Sequence, residues 1–256
     1  MIVERIWTGN AWRNFNYLVA CGETGEALAV DPLDWQLCLR TARDRGWTIT
    51  QILNTHEHHD HTGGNEGLRA ATGAKVLAHA GAAGRIGGVD RGLARGDVIR
   101  VGRSAELECL DTPGHTMAHV CLLAHAPQPA LFCGDTLFNA GAGNVHNGGN
   151  VGDLYTTFAQ QLATLPDNTR VYAGHDYIEN NLKFTLNREP DNQAAKAMLE
   201  LETVNIQEVA SNVGYEDVSF FRSVFKRATG MTPGEYREKF AKFIVRQPDS
   251  VNLDRA

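Results

Sequence analysis

The chain has 256 residues, of which 43% are hydrophobic and 21% are charged, a balance typical of a folded globular protein. Its formal net charge of -6 argues against a surface specialised for nucleic acid or for an anionic membrane. No apolar run is long enough to span a bilayer, and the first residues lack the order of a signal peptide, so we expect a cytoplasmic protein with no membrane partner. The five cysteines never form a Cys-x-x-Cys pair, which predicts reduced and mostly buried side chains.

Short apolar runs separated by polar and glycine-rich turns predict strands, and apolar residues at helical spacing predict helices between them. In chain order we predict strands over 2–6, 15–20 and 27–30, a helix over 35–45, a strand over 49–53, a helix over 64–71, strands over 76–78, 98–101, 107–110, 120–124 and 130–133, a helix over 153–165, a strand over 170–173 and a helix over 176–187. We expect the glycine-rich stretch 81–96 to be a loop. Strands in two groups with interleaved helices indicate a layered α/β protein.

A dense group of potential metal ligands follows the predicted strand over 49–53. Residues 56–61 have the pattern His-x-His-x-Asp-His, formed by His56, His58, Asp60 and His61, and Thr62-Gly63-Gly64 comes next. Three imidazoles and one carboxylate within six residues are typical of ligands on a loop between a strand and a helix. These donors suit zinc, iron or manganese better than calcium or magnesium, which prefer oxygen ligands.

Three later loops, each placed directly after a predicted strand, add further donors. They contain His115 within Asp111-Thr112-Pro113-Gly114-His115, Asp135 within Gly134-Asp135-Thr136, and His175 within Ala173-Gly174-His175. Because a sheet holds the loops after its strands in register, side chains at strand ends can converge on one rim. We therefore expect these residues to meet the residues of the 56–61 motif.

The order His-x-His-x-Asp-His, then His, Asp and His resembles the metallo-β-lactamase superfamily over residues 1–190. This resemblance implies an αββα sandwich with the site at one edge, and His58 favours a hydrolase over the diiron flavoproteins of the same superfamily. Asp31 and His119 lie where members have residues that support the ligands. The implied ligand sets are His56, His58 and His115 on one metal ion, Asp60, His61 and His175 on the second, and Asp135 bridging both.

Within that superfamily, several motifs resemble glyoxalase II, the hydroxyacylglutathione hydrolases. They are Gly134-Asp135-Thr136-Leu137-Phe138, Ala173-Gly174-His175-Asp176-Tyr177, Asn181-Leu182-Lys183-Phe184 and Glu189-Pro190-Asp191-Asn192. The implied reaction is hydrolysis of a thioester such as S-lactoylglutathione by a hydroxide that bridges two divalent metal ions. Asp60 and Asp135 would help to hold that hydroxide. Zinc is the expected metal, with iron and manganese as alternatives.

The implied substrate contacts depart from the glyoxalase II pattern at one loop. Tyr177 matches a tyrosine of the family that contacts substrate, but Asn144, Val145 and His146 stand where the family has a basic residue and, two positions on, often an aromatic one. Asn144 and His146 either contact a different thioester or shape the loop. A lactonase, or a sulfur dioxygenase with one iron ion, is an alternative activity on the same fold.

The end of the chain has a different resemblance. Residues 199–237 resemble the second helix-turn-helix of AraC/XylS transcription regulators, which predicts a helical region over 191–256 in place of the usual glyoxalase II helical domain. Asn205 to Glu208 and Thr232 to Glu235 have the spacing of a capping box. Seven acidic against five basic residues between Leu199 and Phe240 leave a charge of -2. A DNA reader normally presents a basic face, so we expect a substrate lid or a lost function, with a DNA-binding regulator as the alternative.

Overall fold

A computed structural model describes residues 1–189, 217–229 and 231–235 of the chain. The chain divides between Ile178 and Glu179 into two units, and the candidate site lies in the first of them. The domain boundary at residue 190 stays a prediction.

Two sheets make up the first unit. The six-stranded sheet has the order β1-β2-β3-β4-β5-β6, with β1 Ile2–Trp7, β2 Phe15–Ala20, β3 Glu26–Val30, β4 Thr48–Asn54, β5 Lys75–His79 and β6 Val89–Leu93. The five-stranded sheet has the order β13-β10-β9-β8-β7, with β7 Val98–Val101, β8 Ala105–Asp111, β9 Val120–Ala124, β10 Ala130–Gly134 and β13 Arg170–Ala173. A small hairpin pairs β11 Leu137–Phe138 with β12 Gly141–Ala142.

Four helices lie between strands in the chain, and two follow β13, the last strand among the described residues. They are α1 Trp35–Asp44, α2 His59–Thr62, α3 Asn65–Thr72, α4 Val151–Gln160, α5 Ile178–Arg188 and, beyond a stretch outside the described residues, α6 Val218–Thr229. The predicted helix over 153–165 is therefore shorter, since α4 ends at Gln160 and the short 3₁₀ turn Leu162–Thr164 follows it.

The two sheets face each other, and helices cover their outer faces. The ring of Tyr17 from β2 packs in a T-shaped arrangement against Phe132 and Tyr172 from the other sheet, and its hydroxyl donates to Ala173 O at 2.6 Å. On the outer side of the six-stranded sheet, Cys38 of α1 and Leu68 of α3 are fully buried in one apolar cluster with strand residues. The predicted αββα sandwich is confirmed.

The stretch 81–96, predicted to be a loop, contains the edge strand β6, so that prediction was wrong. Strand β6 pairs in parallel with β5, and its middle residues Asp90, Arg91 and Gly92 are exposed. An edge strand with little apolar surface lacks the period-two pattern on which strand prediction depends. The Asp90 side chain links β6 to β5 and α3, because its carboxylate accepts from Val76 N at 2.8 Å and from Arg69 Nη2 at 2.9 Å.

Three further predictions can be compared with the described residues. All five cysteines are free and buried. No helix among the described residues is long and apolar enough to cross a bilayer. The Thr232 capping box is confirmed, because Thr232 N donates to Glu235 Oε2 at 2.7 Å and Glu235 N donates to Thr232 Oγ1 at 3.3 Å. The second capping box, Asn205 to Glu208, lies outside the described residues.

Helix α4 begins at a side-chain cap whose removal has a predictable cost. Asn150 Oδ1 accepts from Gly152 N at 2.8 Å and from Asp153 N at 3.1 Å, which satisfies two amides that have no partner within the helix. We expect Asn150→Ala to lower the free energy of unfolding by about 1 kcal/mol, measured by urea denaturation. Asn150→Asp keeps the accepting oxygen and is the control. An equal loss in both variants would contradict the capping role.

Candidate metal centre

The predicted ligands lie at one edge of the sandwich because their loops follow strands that end there. His56 and His58 come directly after β4, and Asp60 and His61 lie in the short helix α2. His115, Asp135 and His175 follow β8, β10 and β13 in the other sheet. Three groups of donor atoms form, each with all its atoms within 4.8 Å of one another: His56, His58 and His115; Asp60, His61 and His175; and His56, His61 and Asp135.

The first triad consists of His56, His58 and His115. The His56 Nε2 and His115 Nε2 atoms lie 3.0 and 3.1 Å from His58 Nδ1. The rings of His56 and His115 are buried, and all three rings stand nearly perpendicular to one another. Three imidazole nitrogens directed at one point are a typical zinc-binding arrangement.

The second triad consists of Asp60, His61 and His175. Asp60 Oδ2 lies 3.3 Å from His175 Nε2 and 3.6 Å from His61 Nε2, and the two imidazole nitrogens are 3.1 Å apart. Both histidines are buried. One carboxylate oxygen and two imidazole nitrogens therefore face a second possible position for an ion.

Asp135 lies between the two triads. Its Oδ1 is 3.3 Å from His61 Nε2, and its Oδ2 is 3.2 Å from His175 Nε2 and 3.6 Å from His115 Nε2. One carboxylate therefore faces histidines of both triads. Its Oδ1 is buried and accepts no well-aligned hydrogen bond from the described residues.

Each ligand histidine has one ring nitrogen that faces the other donor atoms, called here the inner nitrogen, and one that points away from them, the outer nitrogen. Every outer nitrogen has a hydrogen-bond partner. His61 Nδ1 lies 2.9 Å from Asp31 Oδ2, His115 Nδ1 lies 2.6 Å from Asn144 O, His175 Nδ1 lies 2.7 Å from Trp12 O, and His58 Nε2 lies 3.3 Å from Asn147 O. Carbonyl and carboxylate oxygens only accept, so these outer nitrogens carry the proton. Thr55 Oγ1 donates to Asp31 and is therefore free to accept from His56 Nδ1 at 3.1 Å.

This pattern of outer hydrogen bonds fits a site for cations. If each outer nitrogen carries the proton, each inner nitrogen of a neutral ring presents a lone pair to the centre. Lone pairs 3.0–3.1 Å apart repel each other unless a cation or a proton lies between them. Outer acceptors that fix the tautomer of a histidine are typical of metal sites.

The charges at the site suit metal binding. Burial lowers the pKa of His56 well below its ordinary value, so this ring is neutral at pH 7. Burial acts to raise the pKa of Asp135, but His61 and His175 outweigh it and hold the pKa well below the usual range. Burial likewise acts to lower the pKa of His61, but Asp135 and Asp31 raise it well above its ordinary value, so a bound cation must displace a proton there.

The two residues predicted to support the ligands are both buried beside them. Asp31 adopts a left-handed backbone conformation with φ of 48°, which is strained for a residue with a side chain, and its carboxylate accepts from Thr55 N, Thr55 Oγ1 and His61. The His119 ring stacks on His56 at 5.2 Å, and its Nδ1 lies 2.9 Å from Thr112 Oγ1.

The three predicted substrate residues have different surroundings. Tyr177 stacks on His175 with ring centres 4.8 Å apart, and its hydroxyl donates to Trp12 O at 3.1 Å. Burial and the nearby carboxylates raise the pKa of Tyr177 to about 12, so it remains a phenol. Asn144 and His146 are exposed, and the Asn144 side chain accepts from His146 N at 3.0 Å. Their contact with substrate stays a prediction.

Several supporting groups could not be identified from the sequence. The carbonyl oxygens of Trp12, Asn144 and Asn147 orient three ligand histidines, but every residue has a carbonyl, so residue type carries no signal for this role. Asn14 donates from Nδ2 to the carbonyl oxygen of Asp60 at 3.1 Å and to its carboxylate. Only its position directly before β2 sets it apart in the sequence.

Comparison with known proteins supports the resemblances on which these predictions rest. Residues 14–175 match the model of the metallo-beta-lactamase superfamily, and residues 191–239 match a helix-turn-helix domain model. A hydroxyacylglutathione hydrolase of Polaromonas sp. is 65% identical over 250 residues, which cover 98% of this chain and 95% of that protein. A hydroxyacylglutathione hydrolase of Nitrosococcus oceani is 65% identical over 199 residues, or 78% of this chain and 76% of that protein.

Solved structures show the same fold. The crystal structure of ETHE1 from Myxococcus xanthus has a TM-score of 0.63 and 25% sequence identity, covering 97% of this chain and 93% of that chain. The superfamily match spans more than half of the chain, and the Polaromonas relative is similar over nearly its whole length. The chain therefore belongs to the metallo-β-lactamase superfamily and, within it, to the hydroxyacylglutathione hydrolase family.

Proposed function

We propose that the protein hydrolyses the thioester of a hydroxyacylglutathione, with S-lactoylglutathione as the representative substrate. The observation that carries this proposal is the convergence of two triads on Asp135, in a chain 65% identical to named hydroxyacylglutathione hydrolases. The superfamily fold and the imidazole and carboxylate donors support divalent metal ions at this site. We propose zinc as the metal and the cytoplasm as the location.

The residues of the two triads and Asp135 would have separate roles at this site. The first triad would hold one ion, the second triad the other, and Asp135 would contact both. Divalent metal ions lower the pKa of bound water from about 15.7 to about 7, which makes a hydroxide nucleophile available at neutral pH. Asp135 and Asp60 would orient that nucleophile. The leaving thiol has an intrinsic pKa of about 8.5, so it departs without a strong general acid from the protein.

Substrate specificity would depend on the exposed groups near the site. We propose that Tyr177, Asn144 and His146 contact the thiol part of the substrate. Tyr177 is anchored by its hydrogen bond to Trp12 O and by stacking on His175, which would present a rigid ring face. Neither Asn144 nor His146 offers a permanent cation for a glutathione carboxylate, so these two residues would contact it through hydrogen bonds.

The proposal is tested by initial rates on three substrates with protein loaded with a defined metal. We expect S-lactoylglutathione to give a higher kcat/KM than a non-glutathione thioester and a simple lactone, together with two metal ions per chain. A preference for the lactone would instead support the lactonase. Oxygen consumption by protein with one iron ion, without thioester hydrolysis, would support the sulfur dioxygenase.

The helix-turn-helix match does not alter this proposal. The alignment with the Polaromonas hydroxyacylglutathione hydrolase extends over 98% of the chain, so most of the C-terminal region is aligned with a named hydrolase. The acidic balance between Leu199 and Phe240 also disfavours DNA binding. We propose that this region contributes to substrate binding and has no nucleic-acid partner.

A further inference from the structure

We infer that Asn14 is a positioning residue that fixes the Asp60 carboxylate and thereby sets the metal affinity of the second triad. This inference rests on the metal centre proposed above and assigns a role that the ligand set does not include. Asn14 lies directly before β2, far in sequence from all the predicted ligands, and only 1% of its surface is exposed.

The contacts of the Asn14 side chain explain this role. Its Nδ2 donates to Asp60 O at 3.1 Å and to Asp60 Oδ2 at 3.3 Å. Asp60 Oδ2 is also the oxygen that faces the inner nitrogens of His61 and His175. The amide of Asn14 therefore holds the oxygen that would bind the ion, and it restricts rotation of the carboxylate.

Asn14 is itself held in one orientation. Its Oδ1 accepts from Asn10 Nδ2 at 2.9 Å, and its backbone N donates to Asn10 Oδ1 at 3.3 Å. An amide side chain whose oxygen faces a donor must direct its NH₂ group the other way, which here is towards Asp60. The orientation of the donor is thus determined by Asn10 before any ion binds.

The two residues before Asn14 contact His175 of the second triad and Asp176, the residue that follows it. The Trp12 carbonyl accepts from His175 Nδ1 at 2.7 Å. Arg13 pairs with Asp176, the residue after His175, through both backbone and side chain, although its φ of 62° is strained. Residues 12–14 therefore contact the second triad or the adjacent Asp176. The carbonyl oxygens of Asn144 and Asn147 contact histidines of the first triad instead.

The test is stepwise zinc binding by the full-length protein, followed by competition with a chromophoric chelator. Asn14→Leu has nearly the same shape but cannot donate to Asp60. We expect one of the two zinc affinities to fall by about 10–100-fold, the usual effect of losing an outer partner of a ligand, while the other stays unchanged. Asn14→Ala should show the same selective loss, and it serves if the leucine variant does not fold.

Asn150→Ala is the control, because the hydrogen bonds of the Asn150 side chain among the described residues go to Gly152 N and Asp153 N and not to either triad, so this variant should bind both ions as the unsubstituted protein does. Unchanged affinities in the Asn14 variants would overturn the inference, and an equal loss at both sites would reduce Asn14 to a general structural role. If the unsubstituted protein binds fewer than two ions, the proposed centre itself is wrong and the inference falls with it.

Discussion

Replacing Asp135 with alanine should remove both catalysis and metal loading while leaving the sandwich folded. The Asp135 carboxylate faces His61 with one oxygen and His115 and His175 with the other, so it is the residue shared by the two triads. Without it, five histidines and the single carboxylate of Asp60 remain in the donor groups, so half of the negative charge that would offset the bound cations is lost. We expect kcat/KM on S-lactoylglutathione to fall by about 10³-fold or more, which corresponds to about 4 kcal/mol of transition-state stabilisation.

The measurement combines initial rates, metal content per chain and far-ultraviolet circular dichroism. Asp167→Ala is the matched control, since Asp167 is exposed and belongs to none of the three donor groups, and this variant should keep both activity and metal. Full activity of Asp135→Ala would reject the site assignment. Loss of the circular dichroism signal would mean that the alanine variant is unfolded. Asp135→Asn, which keeps the shape of the side chain, would then replace it.

A single methyl group added at Gly174 should have the next largest effect. A Cβ atom at Gly174 would lie 2.4 Å from Asp135 Oδ1 and 2.9 Å from His61 Cε1, both closer than van der Waals contact allows. The backbone cannot easily move away, because Gly174 N donates to Gly134 O and Gly174 O accepts from Phe15 N, each at 2.8 Å. We expect Asp135 to be displaced and kcat/KM to fall by about 10²-fold, the scale of a 1 Å error in the position of a catalytic group.

Gly84→Ala is the control for this prediction. A Cβ at Gly84 meets nothing within 4 Å, and Gly84 has no positive φ, so this variant should retain activity and zinc. Metal content measured together with the rates separates two causes of a lower activity. Displacement of Asp135 should lower both the metal content and the rate, whereas a change confined to substrate access would lower only the rate. Gly174→Ala with full activity and two zinc ions would contradict the described packing.

Most strands were predictable because buried strands carry a clear apolar signal. All residues of β2, β9 and β10 are buried, and each appeared in the sequence as a short run bounded by polar residues. Strand β6 was missed because an edge strand pairs through its backbone and leaves Asp90 and Arg91 exposed. Backbone pairing along an edge does not require any particular side chain.

The sequence by itself determined which side chains can bind a metal, since imidazole and carboxylate groups at strand ends have few substitutes in that role. Only the tertiary structure decided how these groups are oriented. Carbonyl oxygens of Trp12, Asn144 and Asn147 select the inner nitrogen of three histidines, and Asn14 orients Asp60. These contacts join segments far apart in the chain, and three of the four are made by backbone atoms that every residue possesses.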